Sequence, residues 1–227
     1  MKIGILQTGR TPEEMRQAHG DYDDLFKRLL ADRGFSFETY PVLDGVFPQD
    51  VHDADGWLIT GSKFGAYEPH DWIPPLEDFL RRAYAADVPI IGVCFGHQIL
   101  AQALGGRVEK FRGGWAVGAI DYDLDGSDRK ETIMAWHQDQ ITALPEEARV
   151  LGRNAFSPHA ILAYGNRAFT VQPHPEFSRS FVEDLIEARS DVIPPEVAEQ
   201  ARSRLDAPLT SADFADRLER FFKTREI

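Results

Sequence analysis

Short apolar runs alternate along this chain with stretches whose apolar residues recur every three or four positions. The apolar runs predict β-strands at residues 2–7, 35–42, 56–61 and 88–93. The last of these runs, VPIIGV, is apolar throughout, which is typical of a central strand buried on both faces. The intervening helical spacing favours helices over the sheet. We therefore expect an α/β fold in which helices cover both faces of an open, mostly parallel sheet.

The second half of the chain mixes short strands with turns before it becomes helical. Residues 108–168 predict a smaller, partly antiparallel β section, and AFTVQ at 168–172 predicts a last core strand. A helix then runs to Ala188. Farther on, Leu218, Phe221 and Phe222 have the spacing of a buried helix face. We expect one domain at residues 1–190 and a C-terminal helical extension at 191–227 that packs on it.

Charge and cysteine content narrow the classes of partner. The chain has 227 residues, and its 37 acidic and 25 basic side chains give a net charge of −12. Such a surface repels phosphate backbones and anionic lipids, so we expect no nucleic-acid or membrane partner. One cysteine cannot form an internal disulfide, and no signal peptide or membrane-spanning run is evident. We therefore expect a cytoplasmic protein.

The single cysteine, Cys94, lies between Gly92 and Gly96, where an apolar strand gives way to a helical pattern. Strand, G-x-C-x-G and helix together predict a nucleophile elbow, a turn so tight that its flanking positions must be glycine. The helix N-terminus favours a thiolate, and the amide of Phe95 could donate to an oxyanion. The alternative is an inert cysteine buried in the core.

A catalytic cysteine needs a base, and His174 is the strongest candidate. It follows the last predicted strand in Q-P-H-P-E, where two prolines stiffen the loop, and Glu176 could fix its tautomer. The alternative is an incidental histidine in an exposed loop. His97 has no second cysteine or His-x-His partner, so we expect no metal. His137 could line a pocket or pack in a loop.

GVCFGHQ together with VQPHPEF resembles class I (triad-type) glutamine amidotransferases over roughly residues 1–188. The resemblance implies a flavodoxin-like sheet and no cofactor. It also implies that Cys94 attacks a γ-carboxamide and forms a γ-glutamyl thioester. His174 would transfer the proton, and Glu176 would orient His174. The family's S-G-G-P loop corresponds here to T-G-S-K, which implies that the backbone at Gly61 or Ser62 completes the oxyanion hole. Further substrate contacts are implied for Gln98, Trp136 and His137.

The resemblance leaves the substrate and the partner open. The chain carries no P-loop and no room for a synthetase, so a synthetase partner would be a separate protein chain. GDYDDLF, DGWLITGS and GWAVG look more like stand-alone, GMP-synthase-like members, some of which cleave γ-glutamyl peptides or glutathione conjugates. We therefore expect a glutaminase-type hydrolase that releases ammonia and glutamate from glutamine, with a stand-alone γ-glutamyl peptidase as the alternative. The alternatives are a non-catalytic regulatory module and the wider superfamily of cysteine-elbow proteases, which lacks the H-P-E pairing.

Overall fold

The computed structural model describes all 227 residues of the chain, from Met1 to Ile227. The strands are β1 (Lys2–Leu6), β2 (Ser36–Tyr40), β3 (Gly56–Ile59), β4 (Ile90–Val93), β5 (Arg107–Lys110), β6 (Ala116–Leu124), β7 (Lys130–His137), β8 (Asp139–Ala143), β9 (Ala148–Arg153), β10 (Ile161–Tyr164) and β11 (Ala168–Val171). The α-helices are α1 (Glu13–His19), α2 (Tyr22–Leu29), α3 (Ile73–Ala85), α4 (Phe95–Ala103), α5 (Arg179–Ala188), α6 (Pro195–Ser203) and α7 (Ser211–Thr224).

Nine strands form one sheet in the order β2-β1-β3-β4-β11-β10-β9-β6-β7. The strands from β2 to β11 in this order pair in parallel, as expected where helices connect successive strands. The remaining four extend the same sheet with antiparallel pairs, while β5 and β8 form a separate two-stranded sheet. The predicted fold class is confirmed, and most of the antiparallel section is continuous with the parallel one.

Parallel pairing brings the carboxyl ends of four strands to one edge of the sheet. In the register, Leu6 lies opposite Ile59, Ile59 opposite Gly92, and Val93 opposite Val171. The residues that follow these strands therefore emerge side by side. This is the edge at which open α/β sheets bind ligands.

Helices cover the two faces of the sheet with aromatic contacts. On one face α3 and α4 pack over β3 and β4, where the ring of Trp57 meets that of Phe79 edge to face at 4.8 Å. On the other face, Phe26 of α2 and Phe221 of α7 are fully buried in a cluster that includes Phe169 of β11. Burial on both sides explains the unbroken apolar character of β4.

The sequence pattern did not predict α1, β5 or β8 individually. Each of these elements has too few buried residues to show a regular apolar spacing along the sequence. The only buried residue in α1 is Met15, and the only one in β5 is Val108. The predicted strand at 35–42 ends earlier, at Tyr40, because Pro41 has no N–H for a strand ladder. A short 3₁₀ turn at Val42–Asp44 takes its place.

The C-terminal helices contact the sheet through apolar side chains. Ala198 and Ala201 of α6 join a cluster beneath β6 and β7, and Phe214 and Leu218 of α7 are fully buried. The boundary between residues 190 and 191 stays a prediction. None of the helices combines the length and the apolar character that crossing a membrane requires.

Replacing Phe221 with alanine tests whether α7 folds with the sheet. Because the ring is fully buried, we expect the free energy of unfolding in urea to fall by about 3–5 kcal/mol. The neighbouring exposed Arg220→Ala is the control, with an expected change within about 0.5 kcal/mol. Equal effects of the two substitutions would mean that α7 is not part of the cooperative unit.

Candidate active site

The turn between β4 and α4 holds Cys94 in a backbone conformation that side chains rarely adopt, with φ of 52°. The flanking glycines make the turn possible. A Cβ on Gly92 would lie 2.4 Å from the carbonyl oxygen of Gly96, and a Cβ on Gly96 would lie 2.5 Å from that of Ile59. Such close approaches exclude any larger residue without movement of the backbone. The strain is confined to the residue that carries the thiol.

The thiol of Cys94 is nearly buried, with 6% of the residue exposed, but it faces a cavity. Its Sγ lies 3.9 Å from the carbonyl oxygen of Trp136. The thiol is also at the N-terminus of α4, whose first amides have no intrahelical acceptor. The positive end of the helix dipole therefore stabilises negative charge at this position.

His174 and Glu176 lie together beside Cys94. The imidazole Nδ1 is 2.7 Å from Oε1 of Glu176, and both side chains are almost fully buried. The amide of His174 donates to the carbonyl of Met134 at 2.7 Å, and its ring stacks on Phe177 with centroids 3.9 Å apart. Backbone, carboxylate and aromatic contacts thus fix the ring and leave Nε2 for the interaction with Cys94.

Two opposing effects set the charge of His174. Burial lowers its pKa, but the carboxylate of Glu176 and the charge and hydrogen bond of Cys94 outweigh burial and raise the pKa to about 10. The imidazole is therefore protonated at neutral pH, with Nδ1–H donating to Glu176. A positive charge therefore lies beside the sulfur of Cys94.

The loop after β3 lies directly against the imidazole. A Cβ on Gly61 would sit 2.8 Å from Cε1 of His174 and 3.7 Å from Cβ of Cys94. The amide of Ser62 has no protein acceptor, and the hydroxyl of Ser62 donates to the carbonyl of Thr8 at 2.7 Å. Phe95 is the first residue of α4, so its amide also lacks an intrahelical acceptor.

A pair of buried threonines that the sequence pattern did not single out holds this loop in place. The amide of Thr8 donates to Oγ1 of Thr60 at 3.0 Å, and the hydroxyl of Thr8 donates to the carbonyl of Thr60 at 2.9 Å. The carbonyl of Gly61 accepts from Thr8 at 3.1 Å and from Thr60 at 3.0 Å. The end of β1 therefore fixes where the Gly61–Ser62 backbone stands.

Gln98 lies one helical turn beyond Cys94 and also lines the cavity. Its Nε2 donates to the carbonyl of Asp139 at 2.9 Å and to Oε1 of Gln172 at 3.0 Å. Both amide hydrogens are therefore used within the protein. Only its Oε1 is left for a ligand, which suits a donor such as an ammonium group.

The structure places Trp136 and His137 differently from each other. The carbonyl of Trp136 is near the thiol, and its indole packs edge to face on that of Trp115, which lines the same cavity. His137 also lines the cavity, but burial lowers its pKa to about 3, so the ring is neutral. Its Nδ1 donates to the carbonyl of Asp139 at 3.2 Å. The ring therefore supports the turn between β7 and β8 and offers the cavity no charge.

The cavity has a volume of about 380 Å³ and includes charged residues that the sequence pattern did not single out. Glu68 and Asp139 line it on the acidic side, and Lys63 and Arg189 provide positive charge. Burial raises the pKa of Asp139 despite a hydrogen bond from Tyr67. Asp139 lies two residues after His137, and Lys63 directly follows Ser62. The family resemblance indicates His137 and Ser62, so these two loops could be found from the sequence. Arg189 carries no such signal, because it simply follows α5.

Comparisons with known proteins agree on one family. The model of the glutamine amidotransferase class-I family matches residues 18–186. Gamma-glutamyl peptidase 4 of Arabidopsis thaliana is 30% identical over 189 residues, covering 77% of this chain and 75% of the relative. A glutamine-hydrolyzing GMP synthase subunit of Halobacterium salinarum is 33% identical over 175 residues, covering 71% of this chain and 87% of the relative.

A solved structure agrees at the level of the fold. The glutamine amido transferase from Methylobacillus flagellatus superimposes with a TM-score of 0.80 at 18% identity, covering 100% of this chain and 95% of the other. Together these findings define a cysteine-dependent amide hydrolase. The chain belongs to the class-I glutamine amidotransferase family.

The raised pKa of His174 predicts how stability changes with pH. A group whose pKa rises on folding stabilises the fold fully below its ordinary value of 6.5, and that contribution is lost as the pH rises to about 10. We therefore expect the advantage of the wild type over His174→Gln in urea unfolding to shrink from about pH 6 to about pH 10. An advantage that grows over this window would contradict the charge assignment.

Proposed function

We propose that the chain hydrolyses γ-glutamyl amide bonds with Cys94 as nucleophile, His174 as general acid and base, and Glu176 as the group that orients His174. The observation that carries this proposal is the buried contact of 2.7 Å between Nδ1 of His174 and Oε1 of Glu176, beside a cysteine on a nucleophile elbow. A buried, oriented base next to a thiol at a helix N-terminus is the arrangement that covalent amide hydrolysis requires.

The reaction follows from these positions in two halves. The sulfur of Cys94 attacks the γ-carbonyl carbon, and the imidazolium of His174 gives its Nε2 proton to the departing amine as the C–N bond breaks. The product is a γ-glutamyl thioester. Water then attacks the thioester while His174 takes its proton, the C–S bond breaks, and glutamate leaves.

The negative oxygen of each tetrahedral intermediate needs donors that stand in place beforehand. We assign this role to the amide of Phe95 and to the Gly61–Ser62 backbone. The free amide of Ser62 and the fixing of its loop by Thr8 and Thr60 support the assignment. Preorganised backbone donors stabilise the oxyanion without moving during the reaction.

The glutamyl end of the substrate carries an ammonium and a carboxylate. We propose that Oε1 of Gln98 and the carboxylate of Asp139 receive the ammonium, and that the Trp136–His137 backbone contacts the α-groups. The support is that Gln98 has only an acceptor to offer and that Asp139 lines the same cavity. His137 acts here by shaping the turn.

Two substrate classes fit this chemistry, and we propose γ-glutamyl peptides. Two further cavities share Phe64 with the one that holds Cys94, and we propose that the leaving peptide extends towards them. Four relatives named gamma-glutamyl peptidases support this choice. The second candidate is a glutaminase that supplies a separate synthetase chain, which the likeness to the Halobacterium salinarum GMP synthase protein favours. The cytoplasmic location stays a prediction.

Incubation with a glutamine-analogue electrophile tests the nucleophile. Mass spectrometry is expected to find one label on Cys94, and Cys94→Ala is expected to lose both the label and glutamate release from γ-glutamyl dipeptides. A label on another residue, or undiminished glutamate release by Cys94→Ala, would remove the basis of the proposal.

Glu176→Gln tests the orienting role while keeping the thiol and the imidazole. Without the carboxylate, His174 loses its charge partner, and we expect kcat/KM to fall by about 10²- to 10⁴-fold. Asp184→Asn is a matched control, because this exposed carboxylate contacts His19 and not the cavity. Equal rates in the two variants would contradict the role of Glu176.

A further inference from the structure

Two cations stand where the cavity of Cys94 meets a neighbouring one. Lys63 and Arg189 line both the main cavity and a second cavity of about 260 Å³. Lys63 comes from the loop after β3, and Arg189 follows α5, so two separate parts of the chain bring positive charge to one opening.

Neither cation has a carboxylate partner. Arg10 and Arg16, which also line the second cavity, form salt bridges with Asp44 and Glu13. No salt bridge and no side-chain hydrogen bond involves Lys63 or Arg189, and Nζ of Lys63 lies 5.2 Å from the ring centroid of Phe64. In a chain of net charge −12, two unpaired cations at one opening create a local site of positive potential.

The charged residues that line the main cavity are two carboxylates, Glu68 and Asp139, and three cations, Lys63, Lys110 and Arg189. Asp139 contacts Gln98, where we placed the glutamyl ammonium, and the charges of Glu68 and Lys110 both act on Asp139. Arg189 interacts electrostatically with the hydroxyl of Tyr22, which also interacts with Cys94 and Glu176. Arg189 also lines the cavity that holds Cys94, beside which His174 lies. Because His174 gives its proton to the leaving amine, we place that amine away from Asp139, towards the part of the cavity that Lys63 and Arg189 line.

We propose that Lys63 and Arg189 form a carboxylate-binding subsite for the leaving group. The preferred substrates are then γ-glutamyl peptides whose leaving residue has a free carboxylate. This inference rests on the proposed γ-glutamyl hydrolase function. Ammonia, the leaving group of free glutamine, has no atom that could reach the two cations. Guanidinium and ammonium groups bind carboxylates through charge-assisted hydrogen bonds, which are stronger than neutral ones.

A pair of matched substrates isolates the subsite. γ-Glutamylglycine and γ-glutamylglycine amide differ only in the terminal carboxylate, and kcat/KM for each gives a carboxylate-to-amide ratio. Comparing this ratio between variants cancels the different basicity of the two leaving amines. We expect the double variant Lys63→Gln, Arg189→Gln to lower the ratio about 10- to 100-fold relative to the wild type. Most of the loss is expected in KM.

Two variants control the experiment. Lys110→Gln removes a cation that lines the main cavity but not the second one, so its ratio should stay within about twofold of the wild type. Lys63→Arg keeps the charge and should retain most of the ratio, which a merely structural role of the lysine would not predict.

The outcomes separate this inference from the proposed function. An unchanged ratio in the double variant, with glutamate release still dependent on Cys94, overturns the subsite and leaves the hydrolase proposal standing. An equal drop of the ratio in Lys110→Gln also overturns it, because the effect would then be general electrostatics. If neither substrate is cleaved and the electrophile does not label Cys94, both proposals fail together.

Discussion

The parallel register of β1, β3, β4 and β11 is the constraint on which the candidate site depends. It fixes four strand ends along one edge, so that loops far apart in sequence emerge within reach of one another. The close packing of Gly92 against Gly96, and of Gly96 against Ile59, then presses α4 onto the sheet. Cys94 occupies a strained position because its neighbours on both sides cannot move.

Burial has two effects at this edge. Burial removes water from His174, and this loss of hydration favours the neutral imidazole. Burial also strengthens the electrostatic interaction between His174 and Glu176, and that interaction favours the charged imidazolium. The charged form prevails because the carboxylate is only 2.7 Å away. His137, nearby but without a carboxylate contact, shows the opposite outcome and is neutral. The same residue type thus has two charge states within one candidate site.

The sequence predicts the fold class and groups the candidate residues because both leave periodic or local patterns. The apolar run before Cys94 and the two glycines beside it mark the elbow, and the position of His174 after the last core strand indicates the same edge. Contacts made across the sheet leave no such pattern. Thr8 and Thr60 are 52 positions apart, and Arg189 follows a helix of ordinary composition. Short elements such as β5 also escape, since one buried residue cannot define a period.

The two cations that border the leaving-group side come from segments that carry no strand of the sheet. Lys63 directly follows the Gly61–Ser62 backbone that Thr8 and Thr60 hold in place. Arg189 is the first residue of the connection between α5 and α6. Neither residue belongs to the elbow, to the His174–Glu176 pair or to the residues that we assign to the glutamyl end. Substrate range in this architecture can therefore diversify through two peripheral segments while bond-breaking machinery stays constant, which makes the scaffold readily evolvable towards new leaving groups.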